Sequence, residues 1–121
     1  MKIERFEDIE AWKEARGLVR HVYKSIRSDF IVKDIRFKSQ MTSSGISIMA
    51  NIAEGFSRKS NKEFIQFLFI AKGSTAELQS HLYVALDQAY ISKDSFDVMY
   101  KQADKIARLV SKFITYLKSV G

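Results

Sequence analysis

Few side chains in this sequence have the type and spacing that chemistry demands. The two histidines, His21 and His81, stand far apart and lack metal-ligand spacing. Glu77 precedes His81 by four residues, which is not the Glu-x-x-His step of a di-iron bundle, and the apolar stripes around it lack the other carboxylates such a centre needs. With no cysteine in the chain, disulfides and thiolate metal sites are excluded. Neither a phosphate-cradling glycine loop nor a nucleophile triad is present. The chain therefore reads as non-enzymatic, without a cofactor or a metal site, and both histidines read as surface or hydrogen-bonded polar residues.

Two polar arrangements do carry physical meaning. Glu54 sets a negative charge in the last turn of a helical segment, against the negative end of the macrodipole, at a cost of a few tenths to about 1 kcal/mol. Something must compensate it. Arg58 or Lys59 can, and Asn51, three residues earlier on the same face, can join the network. A carboxylate beside an amide can also be read as a small catalytic pair; the structural reading of Asn51, Glu54 and Arg58 as a buried network near a helix corner is the simpler one.

The second arrangement is a pair of cationic rows. In the last helical segment Lys101, Lys105, Arg108 and Lys112 follow i, i+4, i+7, i+11 spacing, opposite an apolar row of Met99, Ile106, Leu109, Val110, Phe113 and Leu117. The first segment repeats the design, with Lys13, Arg16, Arg20, Lys24 and Arg27 outward and Ala11, Ala15, Leu18, Val22 and Ile26 inward. A formal net charge of +6 and a pI near 9.6 fit a polyanionic partner. Glu10, Glu14, Asp97 and Asp104 flank the rows and can pair within them, as Asp97 to Lys101 and Asp104 to Arg108, so a merely solvated surface is the competing reading. No sequence-reading motif accompanies the cations, and any nucleic-acid binding rests on phosphate and shape.

The elements that position these residues are four amphipathic helices, expected at about 8–28, 35–54, 61–90 and 94–120. Gly55 is expected to close the second helix in a left-handed conformation, and Ser60 with Glu63 has the spacing of a capping box for the third. The chain contains no proline and only five glycines, which suits long uninterrupted helices. Short connections make sequential helices antiparallel neighbours. The expectation is an all-α, up-down-up-down four-helix bundle, one domain over residues 1–121, with the first helix beside the fourth so that the cationic rows join. No apolar run reaches the ~18 residues of a membrane span and no signal peptide is recognisable, so a cytoplasmic protein without membrane contact is expected.

The middle helices differ in kind. No charge lies between Ser39 and Ala53, and between Phe64 and Tyr90 the only charges are Lys72, Glu77 and Asp87. Beside a core row of Phe64, Phe67, Leu68, Ala71, Leu78, Leu82, Ala85, Leu86 and Ala89, the third helix carries a second row of Ile65, Phe69, Ala76 and Tyr83. A helix apolar on two faces is buried on two faces, which points to a homo-oligomer assembled through the second and third helices.

Trp12, Gln40, the run Asn51-Ile52-Ala53-Glu54-Gly55, then Arg58, Ser60, Glu63-Phe64, Phe67, Ala71, Gly73-Ser74 and Glu77-Leu78 form a pattern spread over most of the chain. It resembles the four-helix-bundle proteins of the 23S rRNA intervening-sequence family, some of which are encoded inside ribosomal RNA genes. Related accessory proteins of diversity-generating retroelements form pentamers that bind nucleic acid and a reverse transcriptase. The resemblance thus implies a homopentamer with RNA or DNA, or a protein such as a reverse transcriptase, as partner. A protein-interaction scaffold whose basic face docks another protein is the alternative to a nucleic-acid binder.

Overall fold

The computed structural model describes residues 2–26 and 33–120. A 3-10 turn at Phe6–Asp8 leads into α1 (Glu10–Ser25), followed by α2 (Ile35–Ser57), α3 (Asn61–Asp87) and α4 (Lys93–Val120). Each helix packs on its sequence neighbours, and α1 closes the ring against α4; the diagonal pairs do not approach one another among the described residues. This is the expected antiparallel four-helix bundle.

Its core is the sum of the inward rows. Leu18 and Val22 from α1, Met41, Ile48 and Ile52 from α2, Leu68, Leu78 and Leu82 from α3, and Ile106 and Val110 from α4 are wholly excluded from solvent. Burying each large aliphatic side chain contributes about 1.5–3 kcal/mol, which is what holds four individually marginal helices together. Leu109 and Phe113, expected inside, are only half-buried because they flank the α4 row on its edge.

The helix ends show where local rules yield to packing. Asp8 does not start α1: its carboxylate accepts the backbone N–H groups of Glu4 and Arg5, and buried Ile9 takes the N-cap position. The expected end of this helix at Ser28, with Arg27, lies outside the described residues. At the next corner, Gly55 is not left-handed. It stays helical and buried, and α2 runs on to Ser57. The glycine is needed for space: a Cβ there would lie 2.7 Å from Phe64 Cδ1 and 2.8 Å from Phe67 Cβ. Gly55→Ala is therefore expected to destabilise the fold by about 1–3 kcal/mol, seen as a lower urea midpoint at unchanged slope. An unchanged midpoint would mean that the α2/α3 corner opens without cost. Ser60 caps α3 as expected by accepting the Glu63 N–H at 3.2 Å, without a return bond from the Glu63 carboxylate among the described residues.

The left-handed residue is instead Ala89, with φ 59°, so α3 stops at Asp87 and Ala89 faces solvent, not the core. The Tyr90 N–H bonds to the Ala85 carbonyl at 2.8 Å and the Ala89 N–H to that of Leu86 at 3.0 Å, the paired bonds of a Schellman ending. A non-glycine residue in this conformation costs about 1–2 kcal/mol. A latch on the next residue offsets it: the Tyr90 hydroxyl donates to Asp34 at 2.7 Å, and its ring lies 5.4 Å from that of Phe37. Asp34 also caps α2 by accepting the Phe37 N–H at 3.2 Å.

The Tyr90 hydroxyl first, and the Phe37 amide second, hold the Asp34 carboxyl below its usual range. The stability contributed by this carboxylate is then fully present above the unfolded-chain value near ~3.9 and is lost as pH falls through the lower folded value. Between wild type and Asp34→Ala, the difference in melting temperature should be constant from neutral pH down to about pH 4 and shrink below it. A difference that persists undiminished into strong acid would show that Asp34 acts without its charge.

Candidate nucleic-acid interface

The α1/α4 seam is polar and close. Lys105 Nζ lies 3.5 Å from Glu14 Oε1, and His21 Nδ1 lies 2.8 Å from Gln102 Oε1. Gly17 lets the helices approach here, since a Cβ at that position would sit 3.2 Å from Gln102 Nε2. Flanking this seam, Lys13, Arg16, Arg20 and Lys24 of α1 and Lys101, Lys105, Arg108 and Lys112 of α4 are all exposed. The bundle thus brings the two rows side by side, with Arg27 outside the described residues.

The flanking acids neutralise only part of this face. Arg108 pairs with Asp104, and Lys105 with Glu14. Asp97 bonds to Lys93 at 2.9 Å, not to Lys101 as expected; both lysines lie on α4, one turn to either side of it. Lys13, Arg20, Lys24, Lys101 and Lys112 make no ion pair among the described residues. Arg16 reaches over Trp12, its guanidinium carbon 5.9 Å from the ring centroid. Exposed pairs of this kind contribute about 0–1 kcal/mol, so a polyanion can displace them readily.

The expected buried network at the α2/α3 corner requires correction. Glu54 keeps 53% of its side-chain surface exposed and pairs with Arg58 at 3.0 Å, while the Arg58 guanidinium also lies 4.9 Å from the Phe67 ring centroid. Arg58 does compensate the helix end, but at the surface. Asn51 is half-buried and turned elsewhere: its Nδ2 donates to the Ser47 carbonyl at 2.8 Å and Oγ at 3.0 Å, and Ser47 Oγ meets Ser74 Oγ at 2.9 Å. The reason is angular. Asn51 faces the seam with α3, whereas Glu54 lies beyond that seam on the outer surface.

Among the described residues the second apolar row of α3 is only partly covered. Phe69 is 49% and Tyr83 51% exposed, Ala76 is exposed and Ile65 is half-buried. Tyr83 packs edge-on against Phe96 and Tyr100, and Lys118 lies over Phe69 with Nζ 5.5 Å from the ring centroid. The sequence reading missed Ile70 and Val84, which at 52% and 44% exposure widen this row toward α2. The missed signal was their i+1 position beside Phe69 and Tyr83.

His81 Nδ1 lies 3.3 Å from Ser44 Oγ, in the α2/α3 seam. No cluster of three or more metal-ligating side chains occurs among the described residues, and no described helix is long and apolar enough to cross a membrane. A cleft of about 650 Å³ opens at the bundle end between Ile9, Phe64, Phe113 and Leu117, with Lys2, Lys59 and Glu10 at its rim, away from the α1/α4 seam residues Gly17 and Gln102.

The architecture is similar to that of a crystallised protein of unknown function from the S23 ribosomal protein family of Bacteroides thetaiotaomicron VPI-5482, with a TM-score of 0.77 over 86% of this chain and 97% of that one. At 22% identity this likeness concerns the fold alone. Comparison with curated proteins found no match. The description "23S rRNA-intervening sequence protein" is matched by residues 7–112, which include both cationic rows and the Asn51–Gly55 run, and the chain belongs to that family.

Proposed function

We propose that this protein is a non-enzymatic, self-associating nucleic-acid binder that holds RNA or DNA by its phosphates against the α1/α4 face. The observation that carries this reading is the alignment of two cationic rows across one close seam, with five of the cations, Lys13, Arg20, Lys24, Lys101 and Lys112, unpaired among the described residues. The family's name, with its reference to 23S rRNA, makes RNA the first ligand to try. Assembly through the outer faces of α2 and α3, as a pentamer by resemblance to the retroelement accessory proteins, would repeat the basic face around an axis and add avidity to weak sites.

The test is fluorescence anisotropy with labelled RNA and DNA between ~50 and ~200 mM salt. Affinity should fall steeply with salt and alike for specific and scrambled sequences, because phosphate contacts position a ligand without reading it. Absence of any binding at low salt would turn the face into a protein-docking patch, for a reverse transcriptase or another protein.

A further inference from the structure

Trp12 is the only tryptophan of the chain and stands at one border of the basic face. It is half-buried, edge-on to Phe6 with ring centroids 5.1 Å apart. Beside it lies a pocket of about 340 Å³ lined by Glu7, Trp12, Lys13, Arg16, Gly17 and Arg20. Gly17 and the succession of long cationic side chains leave this hollow on an otherwise convex helix surface. Glu7 does not make it repulsive to anions, because its carboxylate is held by Arg5.

One distance gives the hollow its meaning. The Arg16 guanidinium carbon is 5.9 Å from the Trp12 centroid, at the outer edge of the cation–π range, so the cation stands by the ring without being stacked closely on it. Arg16 is exposed, so its long side chain can move aside for a planar group that stacks on the indole, with the guanidinium beside it. Lys13 and Arg20, one helical step to either side, stand where the flanking phosphates of such a group would run.

We infer that Trp12 and Arg16 form a stacking subsite for one unpaired nucleobase, so that the basic face prefers single-stranded over duplex nucleic acid. The inference rests on the phosphate-binding role proposed for that face. A duplex offers only phosphates here, since its bases are stacked inside and cannot reach an indole on a helix surface. A single strand can turn a base outward into the hollow, and a base on an aromatic ring adds about 1–3 kcal/mol, which is roughly 5- to 150-fold in affinity.

The only tryptophan makes the test direct. Wild-type emission is titrated at low salt with oligo(dT), oligo(U) and a hairpin duplex of equal length, alongside anisotropy of the same labelled strands. Both single strands should change Trp12 emission saturably, with midpoints that match the anisotropy, and the duplex should not. Trp12→Leu, checked for helicity, should lose roughly 5- to 150-fold in single-strand affinity while keeping the salt slope and duplex affinity; Trp12→Phe should recover part of the loss. Single strands that bind with unchanged emission, or a duplex that changes it equally, overturn the subsite while leaving the basic face standing, whatever the fate of the variants. Failure of every strand to bind at low salt overturns the face itself, and the subsite with it.

Discussion

Alanine at Lys13, Arg20, Lys101 and Lys112 together is expected to flatten the log–log salt dependence of duplex binding by roughly three to four units, at about 0.9 for each phosphate no longer neutralised. Affinity near ~50 mM salt should fall by orders of magnitude, and the gap between variant and wild type should narrow as salt rises. These four cations are chosen because none of them makes an ion pair among the described residues, so each is available to a phosphate without first breaking a bond. Lys105 and Arg108 provide the internal comparison. Each already faces a carboxylate, Glu14 or Asp104, and must exchange that partner before it can serve a ligand. Alanine at these two should flatten the slope by less than two unpaired cations do. Equal slopes for wild type and the fourfold variant would remove the phosphate-binding role. All six positions are exposed, so helicity and assembly should be untouched by any of the changes.

What could be read in advance follows from which signals are local. Periodicity near 3.6 places residues on faces without knowledge of partners, and it located the core rows of α1, such as Leu18 and Val22, and both cationic rows. The adjacency of α1 and α4 followed from short loops. Side-chain pairing was less legible, because it depends on choices among near-equal neighbours: Asp97 has Lys93 and Lys101 each four residues away and takes Lys93. Helix ends were the least legible. Gly55 has the residue type of a helix terminator, but the demand that fixed it was space for Phe64 and Phe67 on another helix. Ala89 has no terminator character, and the left-handed turn there is sustained by Tyr90 reaching Asp34, which is 56 residues away in sequence. In both places tertiary contact overrode local propensity, and nothing within a few residues announced it. Glu54 shows the opposite error: a broken local rule suggested a buried network, whereas an exposed Arg58 one turn on was sufficient.

Charge on the outer face of α3 should dissolve the proposed assembly. Phe69, Ile70, Tyr83 and Val84 expose 44–52% of their surfaces there, and Gly73 lies among them with none of the described residues within 4 Å of the Cβ it lacks. A mid-helix glycine costs about 0.5–1 kcal/mol relative to alanine, and no contact among the described residues explains it. A second helix packed close at that point would. On this reading wild type measured by light scattering is a multi-subunit particle at micromolar concentration, and Phe69→Glu or Ile70→Glu gives smaller species of unchanged helicity, because a carboxylate buried without a partner is not tolerated. Gly73→Ala then separates the two environments by sign. Against solvent it should stabilise the fold by about 0.5–1 kcal/mol; against a partner helix it should weaken assembly, shifting the light-scattering mass downward on dilution. A wild-type chain that is monomeric at tens of micromolar, together with a stabilised Gly73→Ala, would leave the apolar face to some other partner. A multi-subunit wild type that Phe69→Glu and Ile70→Glu leave intact would place the contact on another surface, and with it the geometry by which the basic faces are repeated.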